Sequence, residues 1–425
     1  MAAMGVWLVT FLCLVLMMLI SHLYHQLLDA YEQSATLSDI EYSWFFRLLL
    51  NLVGYSTVLL PMFILYKYLQ KINYFDKIGN TGYTWRVLSM CFGEPGEKLP
   101  DSNKPRKEED AAREGAELAF CFTGLMAAYL VWGLLQEKIM TQNYVMSDGS
   151  LIRFNDSQFL VFVNRLTALV VAGARLLCSR TPLSPAPLYK FSYCSLTNVL
   201  SAWCQYEALK YVSFPTQVLS KSCKVIPVMM MGKLISRNKY EMYEYVVAVL
   251  ISVGMVLFMF GSRDDHIGTS VTTMSGISLL ALYMLCDSFT SSWQGAIFSK
   301  YSVGSLHMLC AVNAFSCALT AAAHAHHAPP FTLLHHPVFA ADCIIMSVSS
   351  AVGQLLIYRT IERFGAVVFT IIMTLRQAVS ILLSCMVYGH RISGGGAMGV
   401  LLVFGAILLR LYCRQRLRRR RHANV

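Results

Sequence analysis

A chain of 425 residues in which 56% are hydrophobic and 14% charged, with a mean hydropathy of +0.51, is far from a soluble domain, where roughly a quarter of residues are charged. About a dozen spanning helices of ~20 residues would use most of it, which excludes a sizeable extramembrane enzyme domain. The net charge of +11 does not point to nucleic acid, because the densest basic run, "RQRLRRRRH", abuts an apolar helix, where such a tail sets topology and meets anionic headgroups.

Apolar runs recur at 5–23, 46–67, 117–136, 158–178, 190–208, 214–235, 243–261, 275–298, 303–322, 338–358, 364–388 and 395–412. Only helices or closed barrels satisfy backbone polar groups in lipid, and runs this long without alternation are helices. The fold class expected is therefore an all-α polytopic membrane protein. Residues 1–68 hold two N-terminal hydrophobic segments. The first reads as a signal anchor or signal-like helix, since it lacks a basic n-region and an A-x-A cleavage site. The stretch 69–116, with "GEPGEKLPDSNKPRKEEDAAREG", is polar and without apolar period, and reads as a cytosolic linker.

The remaining apolar runs divide into five at 117–261 and five within 262–412, followed by a basic tail at 413–425. An odd number of helices per half makes the two halves opposite in orientation, as in secondary transporters built from inverted repeats. "FPTQVLSKSCK" and "FGAVVFTIIMTLR" each open the fourth helix of a half and end on a cation. Fifteen Lys and Arg flank the last ten helices on one side and five on the other. The richer side, which carries the C-terminus, is the cytosolic one. The sequon "NDS" at Asn155 falls on the poorer side, as a glycosylated loop would.

Ionisable groups within apolar helices cost roughly 2.5–3.5 kcal/mol each and tend to face a cavity or a partner. In 214–235, read as one α-helix, Gln217, Lys221 and Lys224 stand at i, i+4 and i+7 on one face, with a bend expected at Pro227. The alternative is that both lysines snorkel to an interface. In 364–388, Arg376 lies mid-run, flanked by Thr374 and Gln377, with Ser380 and Ser384 toward its side; a guanidinium suits a bidentate grip on phosphate or sulfate. Its alternative role is an ion pair with Asp287. Asp287 is read as the one carboxylate near a helix centre, sharing a face with Thr290, Ser291 and Gln294. That stripe reads a base or ribose, or simply joins helices. Asn198, Ser201 and Gln205 form a narrow sector beside Trp203 and Tyr206, suited to a nucleobase or to helix packing. Asn164 and Arg165 complete the set. Four cations against one carboxylate would attract a polyanion.

The histidines from His324 to His336 resemble a metal tract but have no acidic or Cys partners nearby, and the 13 Cys show no ligand spacing, so no metal and no cofactor are expected. HExxH, GxSxG and phosphate-loop motifs are missing, and the chain does not read as an enzyme.

"YEALKYVSFPTQVLSKSCKVIPVMMMGKL", "DSFTSSWQ" and "FGAVVFTIIMTLRQAVSILLSCMVYGH" resemble the nucleotide-sugar transporter group of the drug/metabolite transporter superfamily, over about 117–412; "WFFRLLLNLVGY" extends the likeness to the N-terminal part. The resemblance implies a ten-helix body of two inverted five-helix repeats in the Golgi membrane. It also implies antiport: import of 3'-phosphoadenosine 5'-phosphosulfate (PAPS) from cytosol to lumen for sulfation, in exchange for adenosine 3',5'-bisphosphate. The fourth and ninth body helices of that group supply basic groups to the substrate, and Lys221, Lys224 and Arg376 occupy such positions, with Arg376 where sugar-nucleotide carriers often have Lys. Two other readings stay open: a carrier of a nucleotide sugar such as UDP-galactose on the same fold, and a non-transporting membrane scaffold. The partners expected are a small anionic substrate and the bilayer, without nucleic acid. A homo-oligomer is left open.

Overall fold

The computed structural model describes residues 2–34, 43–74, 83–93, 111–145, 151–154, 156–179, 186–224, 226–227, 229–230, 233, 241–261, 270–301, 303–324, 336–388 and 394–423; for Lys224, Thr374, residues 361–370 and some other helical positions it describes the backbone alone. The helices are α1 (Ala2–Ser34), α2 (Ser43–Lys71), α3 (Tyr83–Phe92), α4 (Ala111–Thr141), α5 (Ser157–Ser179), α6 (Tyr189–Ala208), α7 (Phe214–Ser220), α8 (Met242–Gly261), α9 (Ser270–Tyr301), α10 (Ser305–His324), α11 (Pro337–Tyr388) and α12 (Gly394–Ala423). Five of them contain stretches long and apolar enough to cross a bilayer: Trp44–Lys71, Gly115–Thr141, Ser157–Cys178, Leu306–Ala323 and Pro337–Ile357. The chain is a polytopic helical membrane protein.

Its residues fall into two compact units, each discontinuous in sequence. The first comprises Met1–Asn103, Asp156–Trp203 and Trp293–Leu334. There α1 packs on α2, and α10 on both α2 and α5. The second comprises Lys104–Asn155, Cys204–Ser292 and His335–Val425. There α4 packs along α11, α8 along α12, and α7 against α11. Both units draw on both halves of the sequence, so the contact division does not fall at residue 261. In the second unit α8 and α12 cross at two glycines: a Cβ on Gly399 would stand 2.6 Å from the Gly254 carbonyl oxygen. Such close backbone approach is how helices associate where lipid removes the hydrophobic drive.

Four local features differ from the sequence expectation. The two helices expected at 338–358 and 364–388 are one unbroken element, α11; no proline interrupts it to end the backbone ladder. The supposed linker holds α3, whose Trp85, Leu88 and Phe92 follow helical spacing and pack with Leu69 and Tyr189. Its short apolar period is averaged away by the charged residues after it. A two-stranded hairpin, β1 (Asn143–Val145) and β2 (Leu151–Arg153), pairs Tyr144 with Ile152 in a chain expected to be all-α; Asp148-Gly149 between the strands was the turn signal. Asn155 and the histidines from 325 to 335 lie outside the described residues.

The fourth difference bears on function. The stretch 214–235 is not one α-helix. α7 starts after extended Ser213, with Pro215 in its first turn where the missing N–H is not needed. All seven of its residues are buried, and it gives way to a 3-10 turn at Lys221–Lys224. Pro227 cannot donate to the Cys223 carbonyl and its ring crowds that group, so the preceding turn tightens. The bend expected beside the lysines takes this form.

Candidate functional site

In the second unit α4 presents two aromatic rings one turn apart, Tyr129 and Trp132, meeting edge to face at 81° with centroids 6.2 Å apart. Each carries a cation from another element. The Lys221 ammonium lies 5.3 Å from the Trp132 centroid, and the Arg376 guanidinium 5.4 Å from that of Tyr129. Two like charges therefore stand on adjoining rings of one helix.

Arg376 is 5% exposed. Among the described residues neither Arg376 nor Lys221 makes an ion pair, so the alternative in which Asp287 clamps Arg376 is not what is found. Four polar atoms along the same wall are buried without a hydrogen-bond partner: Trp132 Nε1, Gln136 Nε2, Gln217 Oε1 and Arg376 Nε. They are connected by what their residues do bond. Gln205 donates through Nε2 to Gln136 Oε1 at 3.4 Å, and Gln217 donates to the Gln205 carbonyl at 2.5 Å. Buried polar atoms left open in a native protein call for a ligand or water.

The twelve residues singled out in the sequence do not gather as one set within either unit. Lys221, Arg376, Asp287, Gln217, Gln205 and Gln377 belong to the second unit, as do Lys224 and Thr374, of which only the backbone is described. Asn164, Arg165, Asn198 and Gln294 belong to the first. There Arg165 donates to Asn198 Oδ1 at 3.1 Å, which ties α5 to α6. Thr290 and Ser291, on the Asp287 stripe read as contacting a base or ribose or as joining helices, each hydrogen-bond a carbonyl four residues back, at 2.9 Å in both cases. Their hydroxyls satisfy their own helix.

Besides half-buried Asp287, the second unit holds three buried carboxylates, each nearer an end of its helix than the middle. Glu137 and Glu207 are 1% and 0% exposed, and Asp342 is 7% exposed. Glu207 pairs with Lys210 at 2.8 Å, Asp342 with Lys138 at 2.7 Å, and Glu137 accepts from Ser384 Oγ at 2.7 and 3.0 Å. Glu137 was missed because hydropathy ended its helix too early: α4 continues to Thr141, five residues past the apolar run, and takes Glu137 inside, whereas Glu207 and Asp342 lie within the runs 190–208 and 338–358 but close to their ends. Tyr129, Trp132 and Gln136 were missed because aromatics and amides in an apolar run look like packing. The i, i+3 and i+7 spacing of these three residues was the available signal.

Chemically, Arg376, Lys221, Trp132, Gln136 and Gln217 offer a planar fork, a point charge, an indole N–H and amides. They can hold an anion of several oxygens. Among the described residues there is no cluster of His, Cys, Asp and Glu fit for a metal ion.

Residues 117–414 match the UAA transporter family. A Drosophila melanogaster protein called adenosine 3'-phospho 5'-phosphosulfate transporter 1 is 49% identical, covering 95% of this chain and 93% of its own. Its Homo sapiens namesake is 46% identical over 89% of each chain. UDP-galactose/UDP-glucose transporter 5B of Arabidopsis thaliana is 38% identical over 68% of this chain and 86% of its own.

Proposed function

The chain belongs to the UAA transporter family, and from that premise we propose that it carries PAPS across the Golgi membrane, from cytosol to lumen, where it supplies sulfation. The observation that carries this reading is the pair Lys221 and Arg376: two cations on neighbouring rings with no ion pair among the described residues. PAPS brings roughly four negative charges, on a 3'-phosphate and a phosphosulfate bridge. The Arg376 fork takes two oxygens of one such group and Lys221 a further oxygen, while Trp132 Nε1 and Gln136 Nε2 donate to others and Gln217 Oε1 accepts from a ribose hydroxyl or the adenine amine. Lys224, one 3-10 turn beyond Lys221, adds a third positive charge to the same end of α7. The high similarity to two proteins named for PAPS supports the substrate.

Closing two buried cations away from water without an anion is costly, by several kcal/mol per ion. The empty carrier therefore reorients slowly, and exchange is favoured over one-way flux. Adenosine 3',5'-bisphosphate, the nucleotide left after sulfate transfer, is the return load. The predominance of Lys and Arg on one set of loops supports a cytosolic C-terminus. Asn164, Arg165, Asn198, Gln294, Thr374 and Gln377 remain proposed substrate contacts, with the weight of the binding on the cations.

The test is uptake into proteoliposomes preloaded with adenosine 3',5'-bisphosphate and offered labelled PAPS or UDP-galactose. PAPS uptake that rises with the internal bisphosphate is expected. UDP-galactose uptake without PAPS uptake would overturn the assignment in favour of a nucleotide-sugar carrier. Uptake of neither, by folded protein, would favour the scaffold.

A further inference from the structure

The first unit contains a cavity of about 300 Å³ between α2 and α6, closed at one end by Phe92 of α3. This is at the lower end of the roughly 300–1,000 Å³ that small-molecule sites span. None of its lining residues is among those of the proposed substrate site, and most of its wall comes from residues 52–92, ahead of the 117–414 segment shared with the family.

Its wall is flat and aromatic at one end. The rings of Tyr66 and Tyr189 stack at 4.5 Å and 26°, and Phe92 lies at 29° to both. The same end carries neutral hydrogen-bonding groups: the Tyr66 and Tyr189 hydroxyls approach to 3.3 Å, and Gln70 Nε2 donates to the Tyr66 oxygen at 3.0 Å. Among the described residues that line the cavity there is no Lys, Arg, His, Asp or Glu, and the Lys190 ammonium, 5.6 Å from the Tyr189 centroid, is engaged by the Tyr301 hydroxyl. The hydrogen-bonding groups of the wall itself are neutral and suit a neutral hydroxyl.

Leu52, Leu60 and Phe63 line the cavity and are also 40%, 43% and 49% exposed. They belong to the membrane-spanning stretch Trp44–Lys71, so the surface they expose is one that lipid covers. Tyr66 stands five residues before the Lys71 terminus of that stretch, which puts the hydroxyl pair ~7.5 Å from its end at 1.5 Å per residue, close to the headgroup level. α3 is held there by the Leu188 amide, which donates to the Met90 carbonyl at 3.3 Å. A ligand that lies in the bilayer with a rigid flat body and a single hydroxyl at the interface matches this layout. α2 also carries Leu60-x5-Tyr66-x4-Lys71, a spacing proposed for cholesterol contact. That pattern is common by itself; here Leu60 and Tyr66 both line the cavity.

We propose that the cavity between α2, α3 and α6 is a sterol site, with the ring system against the Tyr66–Tyr189–Phe92 wall and the sterol hydroxyl on the Tyr66–Tyr189–Gln70 cluster. A flexible acyl chain gains less from a flat rigid wall, because ordering it costs rotamer freedom.

The test uses the full chain in proteoliposomes with a photoactivatable, clickable cholesterol, and reads which peptides are labelled. Labelling within 44–71 or 189–208 that unlabelled cholesterol displaces is expected. Ser56→Trp, which fills the cavity, reduces labelling to background. Tyr66→Phe keeps the ring stack and removes the hydroxyl, so labelling falls about fivefold, the worth of one neutral hydrogen bond. If Ser56→Trp does not fold, Tyr66→Phe decides. Labelling unchanged in Tyr66→Phe overturns the proposal. So does a photoactivatable phosphatidylcholine that labels the same peptides as strongly and is not displaced by cholesterol.

Discussion

Two kinds of cation lie in the second unit, and their charges are settled differently. Lys210 closes on Glu207 at 2.8 Å within one turn, and Lys138 reaches Asp342 at 2.7 Å, where the Tyr144 hydroxyl also donates. Lys221 and Arg376 rest instead on aromatic faces. A ring attracts a desolvated cation by up to ~2 kcal/mol, short of the several kcal/mol that desolvating an ion costs. The first pair of cations is neutralised by the fold. The second is positioned by the fold and left for something else to neutralise, which is what a carrier of an anion needs.

The sharpest way to break this comparison is to remove the second pair. Lys221→Ala and Arg376→Ala are each expected to reduce PAPS uptake at least ~30-fold, since losing one partner of a buried charge contact costs ~2–5 kcal/mol. Melting temperature and membrane yield stay near those of the unsubstituted chain, because no carboxylate loses a salt bridge. Wild-type uptake in both variants would retire the site. Arg376→Lys keeps the charge and loses the fork, so an intermediate rate is expected.

Removing one member of the first pair has the opposite signature. Glu207→Gln removes the Lys210 salt bridge and is expected to destabilise the protein by ~1–3 kcal/mol, seen as a lower melting temperature, while uptake per folded molecule is unchanged. Adding Lys210→Met restores most of the stability. A loss of uptake without a loss of stability would move Glu207 into the substrate site. Gly353→Ala probes the rings at smaller cost. A Cβ there would stand 2.7 Å from Tyr129 Cε2, and the ring beneath Arg376 must give way. Uptake is expected to fall about fivefold, the ~1 kcal/mol scale of one cation–π contact.

How much of this was legible in the sequence depended on how far a residue stood out from its neighbours. Lys221 and Arg376 interrupt apolar runs, and the expense of burying them marked them at once. Pro227 foretold a distortion beside the lysines, though not its 3-10 form. Glu137 and Glu207 stand where apolar runs give way to polar loops, so hydropathy assigned them to the ends. Only the packing of α4 against α11 buries Glu137. Lys210, counted as a topology marker, is a structural partner of Glu207. The interleaving of the two units is tertiary information with no local signal. So is the division of α6 and α9 between them, which separates Asn198 from Gln205 and Gln294 from Asp287.

The smallest effect is expected at Asp342. The Lys138 side chain paired with it is 33% exposed, so water and salt screen the attraction, and such pairs contribute ~1 kcal/mol or less. Asp342→Asn keeps an oxygen for the Tyr144 hydroxyl and loses only the charge. The stability loss should therefore be under ~1 kcal/mol, and raising salt from about 0.05 to 0.5 M, which shrinks the screening length below ~10 Å, should remove it. A loss equal to that of Glu207→Gln, or one that salt does not change, would mean that the Asp342 pair is as desolvated as the Glu207 pair. Exposure would then no longer rank the neutralised charges, and the distinction from Lys221 and Arg376 would rest on the rings alone.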